Sequence, residues 1–261
     1  CYNCGRWNPA LWGYAGTIRK LGRDLGFVKL LLVGCVGLYL ATLAIDPSGI
    51  RMGGMLSFLS PSTRGLFLFG ASGAIPVFAY DRWWTVLSAG WLHGGLLHIA
   101  FNMMWVRNLA PVTAEIYGAG RTVRLYPIPC LAGFAMSRVT GYLPLPGLLQ
   151  GACMSVGASA PIFGLLGALV YSSKRGASSA LGRQAWSYAV ILFIFGLVFP
   201  GVDNYAHGGG FLGGYVVAMW LDPMKPERGD HLVAALVCLL LSALSIVASV
   251  IYGLPLLTGP A

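Results

Sequence analysis

Ser159 stands in the run Val156-Gly157-Ala158-Ser159-Ala160-Pro161 at the head of one apolar segment, and His207 stands in Tyr205-Ala206-His207-Gly208-Gly209-Gly210 at the head of another. A serine hydroxyl is a weak nucleophile until a base takes its proton, and imidazole, with an unperturbed pKa of about 6.5, does this near neutrality. Held at one depth of a bilayer, the two side chains are a candidate nucleophile and base. The small residues around the serine, Gly157, Ala158, Ala160, Gly164 and Gly167, admit two readings. They permit a close helix crossing. They also leave room for an imidazole and a substrate backbone, and free first-turn amides that would stabilise an oxyanion. Gly210 and Gly214, four apart after His207, permit close approach to a neighbouring helix, most naturally the one that carries Ser159.

A third polar group lies in Trp91-Leu92-His93-Gly94-Gly95-Leu96-Leu97-His98-Ile99-Ala100-Phe101-Asn102. His98 and Asn102 are four apart and so share one helical face, and imidazole and carboxamide are costly against lipid, so that face points into the bundle. His93 sits nearer the end of the segment. Interhelical hydrogen bonding is the competing use of these side chains. An acidic third member is scarce among eight Asp and Glu. Asp203, one turn before His207, would reach the imidazole only if the helix began early, so a Ser-His dyad is the expectation.

The elements that must position these groups follow from composition. The 261 residues are 57% hydrophobic and 10% charged, with a mean hydropathy of +0.73, too apolar for a water-soluble domain of this size. Apolar segments near 27–45, 92–112, 122–140, 159–173, 186–200, 205–221 and 232–253 are expected to be helices that span a bilayer, giving an all-α, polytopic membrane protein. Connections then alternate between two sides. Thirteen basic residues (Arg6, Arg19, Lys20, Arg23, Lys29, Arg107, Arg121, Arg124, Lys174, Arg175, Arg183, Lys225, Arg228) fall on the N-terminal side and four (Arg51, Arg64, Arg82, Arg138) on the other. That asymmetry places the N-terminus in the cytoplasm and makes the net charge of +9 a matter of topology and anionic lipid rather than of nucleic acid.

Residues 46–91 form a long outer loop, too apolar to be freely exposed and too interrupted by Gly and Pro for a confident span; 66–80 is the stretch that would be re-entrant. Residues 141–157 carry no charged residue, and their Pro- and Gly-broken backbone belongs at membrane depth only where protein buries it or it borders a wet cavity. The helix after Ser159 reaches Lys174 in about fifteen residues, roughly 22 Å against a hydrocarbon thickness of roughly 30 Å, so Ser159 is expected below the outer surface. Cys35, Cys130, Cys153 and Cys238 read as small buried residues. Cys1 and Cys4 form half of a zinc ribbon whose second half is missing.

In this order and spacing, the His93, His98, Asn102 set, Gly157-x-Ser159, and Ala206-His207 with Gly210 and Gly214 resemble the rhomboid family of intramembrane serine proteases over roughly Trp83 to Asp222. The resemblance implies a rhomboid-like six-helix core with one extra C-terminal transmembrane helix. It further implies Ser159 as nucleophile, His207 as general base, and His98, Asn102 and the Ser159 amide as an oxyanion hole, with Phe163 set against the histidine. Three departures stand out: Ala160 replaces the glycine usual after the serine, the Trp-Arg pair of the first outer loop reads Trp84-Thr85 with Arg82 displaced, and the outer loop is unusually apolar.

The expected organisation is therefore a cytoplasmic segment over 1–26, the six-helix core over 27–221 with its outer loop at 46–91, and a linker and seventh helix over 222–261. The expected activity is hydrolysis of peptide bonds in or near transmembrane segments of other membrane proteins, without cofactor or catalytic metal, in the plasma (inner) membrane. Two other readings stand beside it. A non-catalytic rhomboid-like protein binding membrane clients is motivated by Ala160 and the displaced Arg82. A transporter is motivated by polar groups at depth, although no intramembrane charge accompanies them.

Overall fold

A computed structural model describes residues 24–54, 57–145, 150–199, 201–225 and 227–258. Ten α-helices occupy most of these residues, and β-pairing among them is limited to two isolated bridges, Arg51 with Ser60 and Ser72 with Ser155. In chain order they are α1 (Phe27–Ile45), α2 (Thr63–Phe69), α3 (Thr85–Ser88), α4 (Leu96–Tyr117), α5 (Ala119–Arg124), α6 (Pro127–Tyr142), α7 (Ser159–Lys174), α8 (Ser179–Val198), α9 (Asn204–Leu221) and α10 (Gly229–Thr258). By length and composition, α1, α8 and the Gly229–Pro255 part of α10 are long and apolar enough to cross a membrane. Of the helices between them, α6 and α7 are each 16 residues long, while α4 and α9 carry polar groups or glycines of the interior that lower their hydropathy.

Helix α7 is the centre. Leu165, Leu166, Ala168 and Leu169 have no exposed surface, and the helix packs most extensively on α9, which in turn packs on α6. Glycines on both faces of α9 make this sandwich: a Cβ on Gly210 would overlap the Ala160 carbonyl, one on Gly214 would overlap that of Gly164, and on the opposite face one on Gly209 would lie 2.9 Å from the Ala132 carbonyl. The pairings of 160 with 210 and 164 with 214 keep α7 and α9 parallel and in step, so their N-termini share one end of the bundle.

Helix boundaries follow local chemistry. The segment expected over 122–140 is two helices, α5 and α6, divided at Leu125 and Tyr126, and Pro127, which has no N–H to leave unpaired, opens α6. Ser178 caps α8 through the Leu181 amide at 3.4 Å and starts it seven residues before the expected 186. Helix α4 begins at Leu96, later than 92, so His93, Gly94 and Gly95 form the turn before it.

Among the described residues of 46–91, no helix is long enough to span a membrane. Short helices α2 and α3, a π-helical turn at Ile75–Ala79 and a 3-10 turn at Ala89–Trp91 fold against the helix ends. Tyr39 of α1 donates to the Leu59 carbonyl at 2.5 Å, and Tyr126 donates to that of Gly90 at 2.8 Å. Arg82, 1% exposed, donates to the carbonyls of Phe67, Leu68 and Ser249 at 2.6, 3.4 and 2.8 Å and lies 4.2 Å over the Phe67 ring. A guanidinium out of water needs that many acceptors. The displaced arginine is thus a buried crosslink of the segment.

Candidate active site

The site forms where the N-termini of α7 and α9 meet the first turns of α4. Ser159 is the first residue of α7, and no side chain caps that helix. Its first-turn amides are free of intrahelical partners, and because Pro161 has no N–H, the backbone donors there are those of Ser159 and Ala160. Ser159 is half-buried.

His207 lies three residues before Gly210, which touches Ala160, so it sits about 4.5 Å further toward the shared helix ends. Its imidazole is 6% exposed and stacks on Phe163 of α7, with ring centroids 4.3 Å apart and planes at 15°. Phe163 is one turn after Ser159 on the same face, so the stacking holds the imidazole beside the first turn of α7. Nδ1 of His207 is buried without a hydrogen-bond partner.

Asp203 does not bind that imidazole. It caps α9, accepting the Ala206 amide at 3.0 Å on Oδ1 and the Ser137 hydroxyl on Oδ2, while its carbonyl accepts the His207 amide at 3.1 Å. The carboxylate thus fixes the first turn of α9, and with it the backbone of His207, to α6. Sequence reasoning missed Ser137, 66 residues away; the Asp203 side of the pair was detectable as an N-cap residue before an apolar run.

His98 faces the serine from α4. Its Nδ1 accepts the Gly94 amide at 3.2 Å, so the neutral ring carries its proton on Nε2. Nε2 points at Gly157: a Cβ built there would lie 2.7 Å from it and 3.5 Å from Ser159 Oγ. Both atoms therefore converge on one glycine. The φ of Gly157 is +139°, a region closed to most side chains, and its amide donates to the Ala89 carbonyl at 2.9 Å. Asn102, 5% exposed on the face of His98, donates to the His98 carbonyl at 2.8 Å, which leaves its second N–H unused by that bond. His93 is fully buried behind His98, rings edge-on with centroids 5.2 Å apart, and neither of its nitrogens has a hydrogen-bond partner.

Ala160 turns its methyl away from the serine into an apolar pocket with Val86, Ala89, Cys130, Phe134 and Ala206. Gly133 supplies the space: a Cβ there would lie 2.9 Å from that of Ala160.

Residues 80–223 match the family model described as the rhomboid domain. The chain belongs to the rhomboid family. It is 32% identical over 199 residues to the rhomboid protease GluP of Bacillus subtilis (strain 168), covering 75% of this chain and 36% of that one. It is 32% identical over 175 residues to RHOMBOID-like protein 4 of Arabidopsis thaliana (66% and 42%) and 26% identical over 166 residues to Rhomboid-like protease 3 of Toxoplasma gondii (61% and 59%). The chain spans between about a third and three fifths of the length of these relatives. The rhomboid match contains every site residue above, together with Ser137 and Asp203, and ends just after α9. Helix α10 lies beyond it. Cys1 and Cys4 lie outside the described residues, among which no group of three or more His, Cys, Asp or Glu is arranged to hold a metal ion.

Proposed function

We propose that this chain is an intramembrane serine endopeptidase that hydrolyses peptide bonds in or near transmembrane segments of other membrane proteins. Ser159 is the nucleophile and His207 the general base. One observation carries the reading: at one end of the bundle, the His207 ring is stacked a turn from Ser159 while His98 Nε2 and Ser159 Oγ converge on Gly157.

The chemistry follows from that placement. His207 takes the Ser159 proton as Oγ attacks the substrate carbonyl, and it returns the proton to the leaving amine. Water then opens the acyl-enzyme with His207 again as base. The oxyanion receives N–H groups of His98 Nε2, Asn102 and the Ser159 backbone, donors already in place before charge develops. With Asp203 occupied as a cap, the Phe163 ring and the first turn of α9 orient the base, and the catalytic unit is a dyad.

A helical substrate hides its carbonyls in its own hydrogen bonds, so preferred segments carry small or helix-breaking residues near the outer interface. The charge asymmetry supports a cytoplasmic N-terminus, with Ser159 beneath the outer leaflet of the membrane, for which we propose the plasma membrane. The alternative of a non-catalytic client-binding protein loses support from the pocket that takes the Ala160 methyl and from the bonding of Arg82. The test is cleavage of a single-span reporter in proteoliposomes by wild type, Ser159→Ala and His207→Ala. Both variants are expected to fall to background, and undiminished cleavage by either would refute the assignment.

A further inference from the structure

Helix α10 carries Ser242, Ser245 and Ser249, spaced three and four apart and therefore on one face, and all three are buried (1%, 4% and 0% exposed) in the largely apolar stretch after His231. Two of them reach the segment between α1 and α4. Ser245 Oγ donates to the Trp84 carbonyl at 2.7 Å, and Ser249 Oγ accepts the Trp84 indole N–H at 3.1 Å while donating to the Ser245 carbonyl at 2.8 Å. The Ser249 carbonyl accepts Arg82 at 2.8 Å, and Tyr252 packs on the Trp84 ring with centroids 5.1 Å apart. Close approach makes this geometry available: a Cβ on Gly70 would lie 2.5 Å from Ser249 Oγ, and one on Gly253 would lie 3.1 Å from Leu68.

The segment so gripped leads to the nucleophile. Thr85 Oγ1 donates to the Arg82 carbonyl at 2.7 Å and lies 3.3 Å from Ser72 Oγ, from which it can accept, and Ser88 Oγ donates to the Gly70 carbonyl at 2.8 Å. Ser72 and Ser155 exchange backbone hydrogen bonds of 3.0 and 2.7 Å, and Ile75 donates to the Cys153 carbonyl at 3.0 Å. Residues 152–155 run on to Gly157, tied to Ala89, and so to Ser159. At its other end α10 is anchored by Glu227, whose carboxylate accepts the amides of Ala119, Gly120 and Arg121 at 3.1, 2.6 and 3.2 Å.

We propose that the serine face of α10 is a tether that positions the active site from outside the rhomboid match, with Ser245, Ser249 and Trp84 as positioning residues. Through Trp84 and Arg82 it holds residues 70–75 against residues 152–155 and thereby sets the approach of Gly157 and Ser159 to His98. This rests on the proteolytic reading for its effect on rate, but the tether itself is measurable without catalysis.

The experiment uses the full chain in proteoliposomes with Trp84→Phe, Ser249→Ala, their double variant, Ser245→Ala and Ser245→Thr. Trp84→Phe keeps a ring and removes only the indole donor. Two quantities are read: amide hydrogen exchange of peptides covering 70–76 and 151–157, and the rate at which a small fluorophosphonate labels Ser159, which needs no docking of a transmembrane substrate. Each hydrogen-bond deletion is expected to speed exchange in both peptides and slow labelling by about three- to tenfold, with helical content retained. The double variant is expected to be no worse than either single one, because the same bond is broken once. Ser245→Thr, which keeps the hydroxyl, is expected to stay near wild type where Ser245→Ala does not. Unchanged exchange in 151–157, exchange changes without slower labelling, or additive effects of Trp84→Phe and Ser249→Ala would each overturn the tether. An unlabelled wild type would instead fault the proteolytic reading, with exchange still deciding the tether.

Discussion

Replacing Gly157 with Ala tests whether His98 acts as an oxyanion donor through the position its Nε2 now holds. The new Cβ would sit 2.7 Å from Nε2 and 2.8 Å from Cε1, where an ordinary contact begins at 3.4 Å, so the imidazole must retreat by about 0.7 Å. Retreat pulls Nδ1 off the Gly94 amide, now at 3.2 Å, and turns the Nε2 proton from the serine. The backbone adds its own penalty, since a φ of +139° suits glycine and costs an L-residue about 1–2 kcal/mol. Loss of one oxyanion donor typically lowers kcat by about 10²- to 10³-fold, or about 2.7–4 kcal/mol. Gly157→Ala is therefore expected to cut kcat for a single-span reporter in proteoliposomes by about that factor, with a much smaller change in melting temperature. In a His98→Ala background the collision is gone, so the same substitution should add only the backbone cost, about thirtyfold or less. Activity within about twofold of wild type, or a cost undiminished by His98→Ala, would refute the assignment of Nε2.

Ala160→Gly empties the pocket beside Gly133 and is expected to lower stability by about 1 kcal/mol in a thermal melt, while kcat stays within about threefold of wild type. Asp203→Ala removes the α9 cap and the Ser137 bond together; we expect a loss of about 1–2 kcal/mol in unfolding and a slower kcat, with Ser137→Ala giving a smaller effect of the same kind. Phe163→Leu removes the ring under His207, and kcat should fall about tenfold with KM little changed, as read from initial rates over a range of reporter density.

What was legible in the sequence was what repeats along a helix or stands out against lipid. The His98 and Asn102 spacing, the serine and histidine opening apolar segments, and Gly210 with Gly214 are local patterns, and the expected helices fall on observed ones with boundaries shifted by capping at Ser178 and by Pro127. Contacts between distant residues were not legible. Ser137 with Asp203, Arg82 with the carbonyls of Phe67 and Ser249, and Ser72 with Ser155 join residues whose local sequence serves equally well unpaired. The path of 46–91 belongs to this class, because its short helices take their places from α1, α10 and residues 152–155 rather than from their own periodicity. The reach of the Ala160 methyl depended on Gly133, 27 positions earlier, and no local pattern pairs them.

The most direct measurement of the central claim is the site and His207 dependence of covalent modification by a serine-reactive fluorophosphonate, mapped by peptide mass spectrometry on the protein in proteoliposomes. An adduct on Ser159 in wild type, reduced by at least about a hundredfold in His207→Ala with helical content intact, is the predicted result. Labelling of Ser159 that is indifferent to His207, or an adduct on another residue, would contradict it.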